Sequence, residues 1–303
     1  VRTIRSSSMP LTFVPEYDFS RPMGFVQSSI RPHDEFFIAG SFGSAPKQAR
    51  QLDWFPYAFQ KATEDQRQTS SCTGNAAIAL MEFLDSVKQA GFLLGELIEE
   101  FLAKIDRVNF SRLFPYYFAR EKRGWQNSDG GAVISDIFEV LGKMGCPLEP
   151  YWMFKESLLF TRPDSRAIAQ AARHLLVNPR RVPRESVFEV ISGGGDHTKA
   201  RPVVCGVQVY QHRFFAPDVQ KTGWIDMPSK TSDYAGGHAL LFTGYDIGTE
   251  DWVEGPNSWG QNWASQSVVG RAGWFRMNAQ YLRDPRMSDD FWTGDYVRVK
   301  ETS

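Results

Sequence analysis

Four residues scattered along the chain carry side chains that together could perform acyl transfer: Gln66, Cys72, His238 and Asn257. Cys72 stands in DQRQTSSCTGNAAIALMEFL, where a polar, turn-forming stretch runs into an apolar helical repeat. A thiol at a helix start meets free N–H groups and the positive end of the helix dipole. Both favour the nucleophilic thiolate over the thiol, whose free pKa is about 8.5. A cysteine there also reads as a small buried apolar side chain. Gln66, shortly upstream, offers a neutral amide donor that could share an oxyanion with the Cys72 N–H. Alone it reads as a solvated loop glutamine, like Gln68.

His238 follows two glycines in YAGGHALLFTGYD, at the head of an apolar strand. An imidazole fixed beside a thiol can take its proton and return it to a leaving amine. Asn257, in GPNSWGQNW, has an amide oxygen suited to accept the second imidazole N–H and fix the tautomer, with Trp259 close enough to shield that bond. Singly, these are a strand-capping histidine and an Asn-Ser turn beside a core tryptophan. The other histidines (His33, His174, His197 and His212) form no metal-ligand spacing with one another or with the cysteines. No metal or cofactor is expected. Gly193-Gly194-Gly195-Asp196 lacks the Lys-Ser/Thr of a phosphate loop and reads as a connection.

Elements must carry these groups. Ala76, Ala77, Leu80, Met81, Phe83 and Leu84 recur at helical spacing after Ser71, giving a buried helix. Further helices are expected over 93–107, 112–123, 132–144, 165–177 and 184–192, the one over 132–144 stopped by Gly145 and by Pro147 shortly after. Strands are expected over 202–210, 238–245, 251–254, 273–277 and 295–299, where β-branched and aromatic residues lie between Gly and Pro. Helices first and strands second imply an α+β chain of two lobes with a cleft between them. The expected division is an extension over 1–49, a mainly helical lobe over 50–160 carrying the nucleophile, and a mainly β lobe over 161–303 carrying His238 and Asn257.

The 303 residues are 42% apolar, with 34 Lys+Arg against 35 Asp+Glu. That suits a packed globule and gives no basic excess for nucleic acid. No run approaches the ~18 apolar residues of a membrane span, and the first residues lack the apolar block of a secretory signal. Three cysteines (Cys72, Cys146 and Cys205) make no disulfide framework and favour a reducing, cytoplasmic compartment, or secretion without a cleaved signal.

In order along the chain, Asp53-Trp54, Asp65-Gln66 with Ser71-Cys72, Ser128-Asp129-Gly130-Gly131, Gly237-His238-Ala239, Asn257-Ser258-Trp259-Gly260 and Gly273-Trp274-Phe275 resemble the linked motifs of the papain-like cysteine peptidases, particularly bacterial and phage-type members without the usual disulfides. The resemblance spans roughly residues 50–300. It implies the papain-like fold, a helical lobe facing an antiparallel β-barrel-like lobe. It also implies a peptidase using Cys72 as nucleophile, His238 as base, Asn257 as orienter and Gln66 as oxyanion donor. Gly131 would pair its backbone with an extended peptide, and Gly130, Ala132, Val133, Gly237 and Trp259 would line the substrate groove. An ion pair with His238 should make Cys72 acidic.

The sequence also departs from that pattern. Thr69 replaces the family's cysteine shortly before the nucleophile, and Thr73 replaces the aromatic residue just after it. The stretch between Cys72 and His238 exceeds the ~130–150 residues of the pattern. Residues 1–49 are either a segment that runs through the cleft and blocks it, or an arm packed on the lobes or docking a partner. The partner expected is a peptide or protein substrate. The same apparatus could instead serve dedicated processing, deamidation or acyl transfer on one partner, and a non-catalytic binding protein on this fold is the rival from another class.

Overall fold

The structure, a computed structural model, describes residues 21–91 and 108–300. The helix expected over 93–107 and the first twenty residues of the extension lie outside them. Along the chain come β1 (Phe25–Val26), β2 (Gln48–Arg50), α1 (Cys72–Gly91), α2 (Leu113–Glu121), β3 (Ala132–Val133), α3 (Ile134–Lys143), α4 (Ser165–Ala171), β4 (His174–Val177), β5 (Arg180–Arg181), α5 (Val187–Ser192), β6 (Val203–Tyr210), β7 (Trp224–Ile225), β8 (Tyr234–Phe242), β9 (Gly244–Asp246), β10 (Trp252–Pro256), β11 (Trp274–Asn278), β12 (Ser288–Thr293) and β13 (Tyr296–Val299), with short helical turns between them. This is an α+β chain.

The strands form a five-stranded sheet ordered β2-β9-β10-β11-β7, a four-stranded sheet ordered β5-β12-β6-β8, and the pairs β1-β3 and β13-β4. β1-β3 and β11-β7 are parallel, and the others are antiparallel. The barrel-like closure expected of the β lobe is not found among the described residues. The chain leaves one sheet for the other at Thr243, between β8 and β9, so two open sheets meet at a corner.

The β6-β8 pair positions the site. Its register runs from Val203 opposite Phe242 to Val209 opposite Gly236, with His238 facing Val207, and shifts before Tyr210 meets Tyr234. Successive side chains point to opposite faces. Val204, Ala239 and Leu241 enter a core shared with Ala76, Leu80 and Met81 of α1, with Phe114 of α2 and with Ile137 and Phe138 of α3. Val203, Cys205, Val207, Leu240 and Phe242 enter a second core with Trp259, Phe275 and Tyr281. A sheet buried on both faces reads as a continuous apolar run, which is the texture of PVVCGVQVY and HALLF.

One expected element changes, and one strand, β12, is found where none is expected. The helix over 165–177 stops at Ala171, and His174–Val177 pairs instead with Tyr296–Val299. Strand β12 carries Asp289 and Asp290, residues that disfavour strands, and tertiary contacts hold it there. The Asp290 carboxylate accepts from Ser28 N–H at 3.2 Å and Ser28 Oγ at 2.7 Å, from Arg181 Nη1 at 2.9 Å, and from Trp292 Nε1 at 2.7 Å.

Those bonds also anchor residues 28–50 to the body. Arg181 bridges Asp290 and Asp34, and both carboxylates are fully buried. Arg31 reaches Asp34, Asp136 and Glu139. Phe37 lies in the second core, the Glu189 carboxylate accepts the N–H groups of Gly40 and Phe42, and β2 edges the five-stranded sheet.

Candidate active site

Cys72 opens α1, as the turn-to-helix transition predicts. Its side chain is fully buried. The sulfur faces backbone N–H groups of Ala239, Gly24 and Thr73 and its own. Ala239 follows His238 on β8, so the Cys72 thiol and the imidazole strand meet where α1 packs on the sheet.

His238 shares the face of β8 that carries Leu240 and Phe242, and Trp259 lies against it. The rings stack with centroids 4.8 Å apart and planes 28° from parallel. Trp259 is held in turn by Phe215, stacked at 5.6 Å, and by Trp263, edge-on at 5.4 Å. It therefore sits beneath the imidazole in the core. His238 Nε2 is 2.8 Å from Asn257 Oδ1, which also accepts Ser258 N–H at 2.7 Å. An oxygen acceptor at that place puts the neutral imidazole's proton on Nε2. Nδ1, buried and without a hydrogen-bond partner among the described residues, is left as the basic nitrogen.

Gln66 is fully buried. The Ser258 hydroxyl donates to Gln66 Oε1 at 2.7 Å, which turns the amide so that Nε2 donates to Thr69 O at 2.7 Å and to Pro22 O at 3.1 Å. Ser258 therefore belongs to the site, and its place next to Asn257 is the sequence signal for it. Thr69 does not cross-link. Its hydroxyl donates to Gln66 O and shares a hydrogen bond with Ser71 Oγ, each at 2.7 Å.

The groove is filled. Pro22 gives its carbonyl to Gln66, and Gly24 N–H points at the Cys72 sulfur. Gly24 O accepts Ala132 N–H at 2.9 Å, and Phe25 and Val26 pair in register with Ala132 and Val133. Gly131 (φ +94°) lies under this crossing; any Cβ there would strike the Gly24 carbonyl. The Phe25 ring rests on Gly206 and Gly237, where a Cβ on either would collide with it. Gly130 is exposed at the rim, while Ala132 and Val133 are buried under the segment.

Burial shifts both groups of the pair. Burial pushes the Cys72 thiol up to about 11, against the pull of the surrounding N–H groups. Burial pushes His238 down to about 4, against its bond to Asn257. Burial thus works against the acidic thiol expected from an ion pair, because desolvation penalises both charges. Cys146 and Cys205 are equally buried, and burial raises their thiols well above the ordinary range as well.

No family model matches the chain. An uncharacterised peptidase C1-like protein of Acanthamoeba polyphaga mimivirus is 28% identical over 235 residues, covering 75% of this chain and 68% of that protein. Among solved structures, xylellain, a cysteine protease from Xylella fastidiosa, has a TM-score of 0.73 at 23% identity, covering 92% of this chain and 96% of its own. Procathepsin B S9 from Trypanosoma congolense has a TM-score of 0.63 at 10% identity, covering 92% and 87%. Procathepsin L 3 from the larval midgut of Tenebrio molitor has a TM-score of 0.57 at 13% identity, covering 91% and 76%. The chain has the fold of the papain-like cysteine proteases, and in sequence it is similar to a peptidase C1-like protein.

Proposed function

We propose that this chain is a cysteine endopeptidase working through Cys72, His238 and Asn257, and that residues 22–26 hold it latent. The observation that carries the reading is the Pro22 carbonyl at 3.1 Å from Gln66 Nε2. A peptide carbonyl thus already sits on the amide that would stabilise an oxyanion, beside a thiol at a helix start. The Gly24 N–H, which has no carbonyl carbon to offer, is the group that faces the sulfur.

With the segment lifted, water re-enters and the charge-separated pair becomes accessible. His238 Nδ1 takes the Cys72 proton, and the sulfur attacks the substrate carbonyl carbon. The resulting oxyanion is held by Gln66 Nε2 and the Cys72 N–H. As the C–N bond breaks, His238 returns the proton to the leaving amine, giving a thioester. Water, deprotonated by His238, attacks the thioester; the acid leaves and Cys72 is restored. Asn257 keeps the Nε2 proton in place throughout, and Trp259 keeps water from that bond.

The test, run in the full chain carrying Phe25→Ala to loosen the covering segment, is an epoxide that traps nucleophilic thiols, with the adduct mapped by mass spectrometry, alongside cleavage of an unfolded protein substrate. Labelling at Cys72 that is lost in His238→Ala, together with cleavage, supports the reading. Equal labelling of Cys72, Cys146 and Cys205, or an accessible Cys72 with no cleavage, refutes it.

A further inference from the structure

Asp129 lies outside the four groups given a chemical role, yet it joins the two walls of the groove. One carboxylate oxygen accepts Ser70 N–H at 2.9 Å, two residues before the nucleophile. The other accepts the Tyr116 hydroxyl at 2.6 Å. Tyr116 is fully buried on α2, whose close crossing with α1 leaves no room for a Cβ at Gly74. The same loop is held from below by Arg120, also fully buried. It donates to Ser128 O and Leu159 O at 2.6 Å each and lies 4.1 Å over the Tyr116 ring.

The links close a ring: Cys72, Ser70, Asp129, Tyr116, and back through the α1–α2 crossing to Cys72. Gly130 and Gly131 follow at once, and neither has a side chain to fix the loop. The edge they lead into, at Ala132 N–H, is the one that takes a peptide carbonyl in this structure. Its distance from the sulfur is therefore set by what ties residue 129 to residue 70. A carboxylate suits this because it accepts from both donors at once. An amide in its place would turn its NH2 toward one of them.

We infer that Asp129 is a positioning residue for peptide cleavage: with Tyr116 it staples the Gly130-Gly131 loop to the nucleophile loop and fixes the peptide-binding edge relative to Cys72. The inference rests on the peptidase reading above. Because the staple acts on the backbone that pairs with peptide, its loss should weaken peptide binding and leave the thiol chemistry alone.

Asp129→Asn and Tyr116→Phe are compared in the full chain carrying Phe25→Ala, which frees the groove. Loss of one hydrogen bond to a charged group should raise KM for an extended peptide about tenfold, with kcat and iodoacetamide alkylation of Cys72 within about threefold of the parent. Asp129→Ala should be worse than Asp129→Asn, which keeps one acceptor. An unchanged KM overturns the inference, as does a parallel loss of kcat, alkylation and melting temperature. A parent that alkylates at Cys72 but cleaves nothing defeats the peptidase reading instead. The staple is then judged by the affinity of a synthetic peptide matching residues 21–27: about tenfold weaker binding to Asp129→Asn supports it, and equal binding overturns it.

Discussion

Replacing Phe25 by alanine in the full chain should expose Cys72 without unfolding the protein. The Phe25 ring is half-buried on Gly206 and Gly237. It makes those contacts only while the segment covers the groove, so its truncation acts on the covered state alone. Removing a fully buried phenylalanine costs about 3–5 kcal/mol, and a half-buried one about 2 kcal/mol. Since about 1.4 kcal/mol is a factor of ten, the population of the open state should rise about thirtyfold. Cys72 is fully buried when covered. Its alkylation therefore reports the open population, and its rate should rise by the same factor. The assay is iodoacetamide labelling at pH 8 followed by peptide mapping, with Cys146 and Cys205, both fully buried, as internal controls. An unchanged Cys72 rate would refute the claim that residues 22–26 are what shields it. A rise shared by all three cysteines would show that the substitution loosens the whole fold instead.

The cover should also respond to pH. His238 is pushed from an ordinary 6.5 to about 4, so below pH 6.5 the open state binds more protons and acid favours opening. Cys72 is pushed from 9.0 to about 11, so above pH 9 the open state releases more protons and alkali favours opening. Hydrogen exchange at the Gly24 and Phe25 amides, corrected for its intrinsic pH dependence, should therefore show greatest protection between about pH 6.5 and 9; a flat profile would contradict this. In the Phe25→Ala background, Gln66→Ala should lower kcat for peptide cleavage by about 10²-fold while leaving Cys72 alkylation within about threefold; full retention of kcat would remove Gln66 from the oxyanion role. Asp34→Ala should destabilise the fold by about 2–3 kcal/mol, because Arg181 loses one of its two buried carboxylates. The expected signature is a lower melting temperature without the selective Cys72 exposure of Phe25→Ala. Selective exposure of equal size would mean that residues 22–37 lift as one piece.

Much of the site was legible because chemistry constrains residue type and order. A thiol at the foot of an apolar helix and an Asn-Ser-Trp turn are local patterns, and the structure sets Cys72 at its helix start and Asn257 within hydrogen-bond reach of His238. His238 lies on a strand as well, but in the middle of β8, which begins at Tyr234, rather than at its head. The long apolar strands were legible as well, since burial on both faces leaves an unbroken apolar run. The short and polar elements were not. His174–Val177 continues a helical pattern and becomes a strand only because Tyr296–Val299 lies beside it. Asp290 sits in a strand because Ser28, Arg181 and Trp292 bring it donors.

The fate of the first fifty residues shows where the division falls. Composition alone left two readings open, a segment through the cleft or an arm on the lobes, and the described part does both: 22–26 lie in the groove and 28–50 are built into the body. Residue types by themselves determined which groups could carry acyl transfer, because nucleophilicity, basicity and amide donation belong to the side chains. Whether those groups are charged, exposed and aligned was decided only in three dimensions. Solvent exclusion by Gly24 and Phe25, the stacking of Trp259 on His238 and the bridge from Asp129 to Ser70 all join positions far apart in the chain, and no local pattern encodes them.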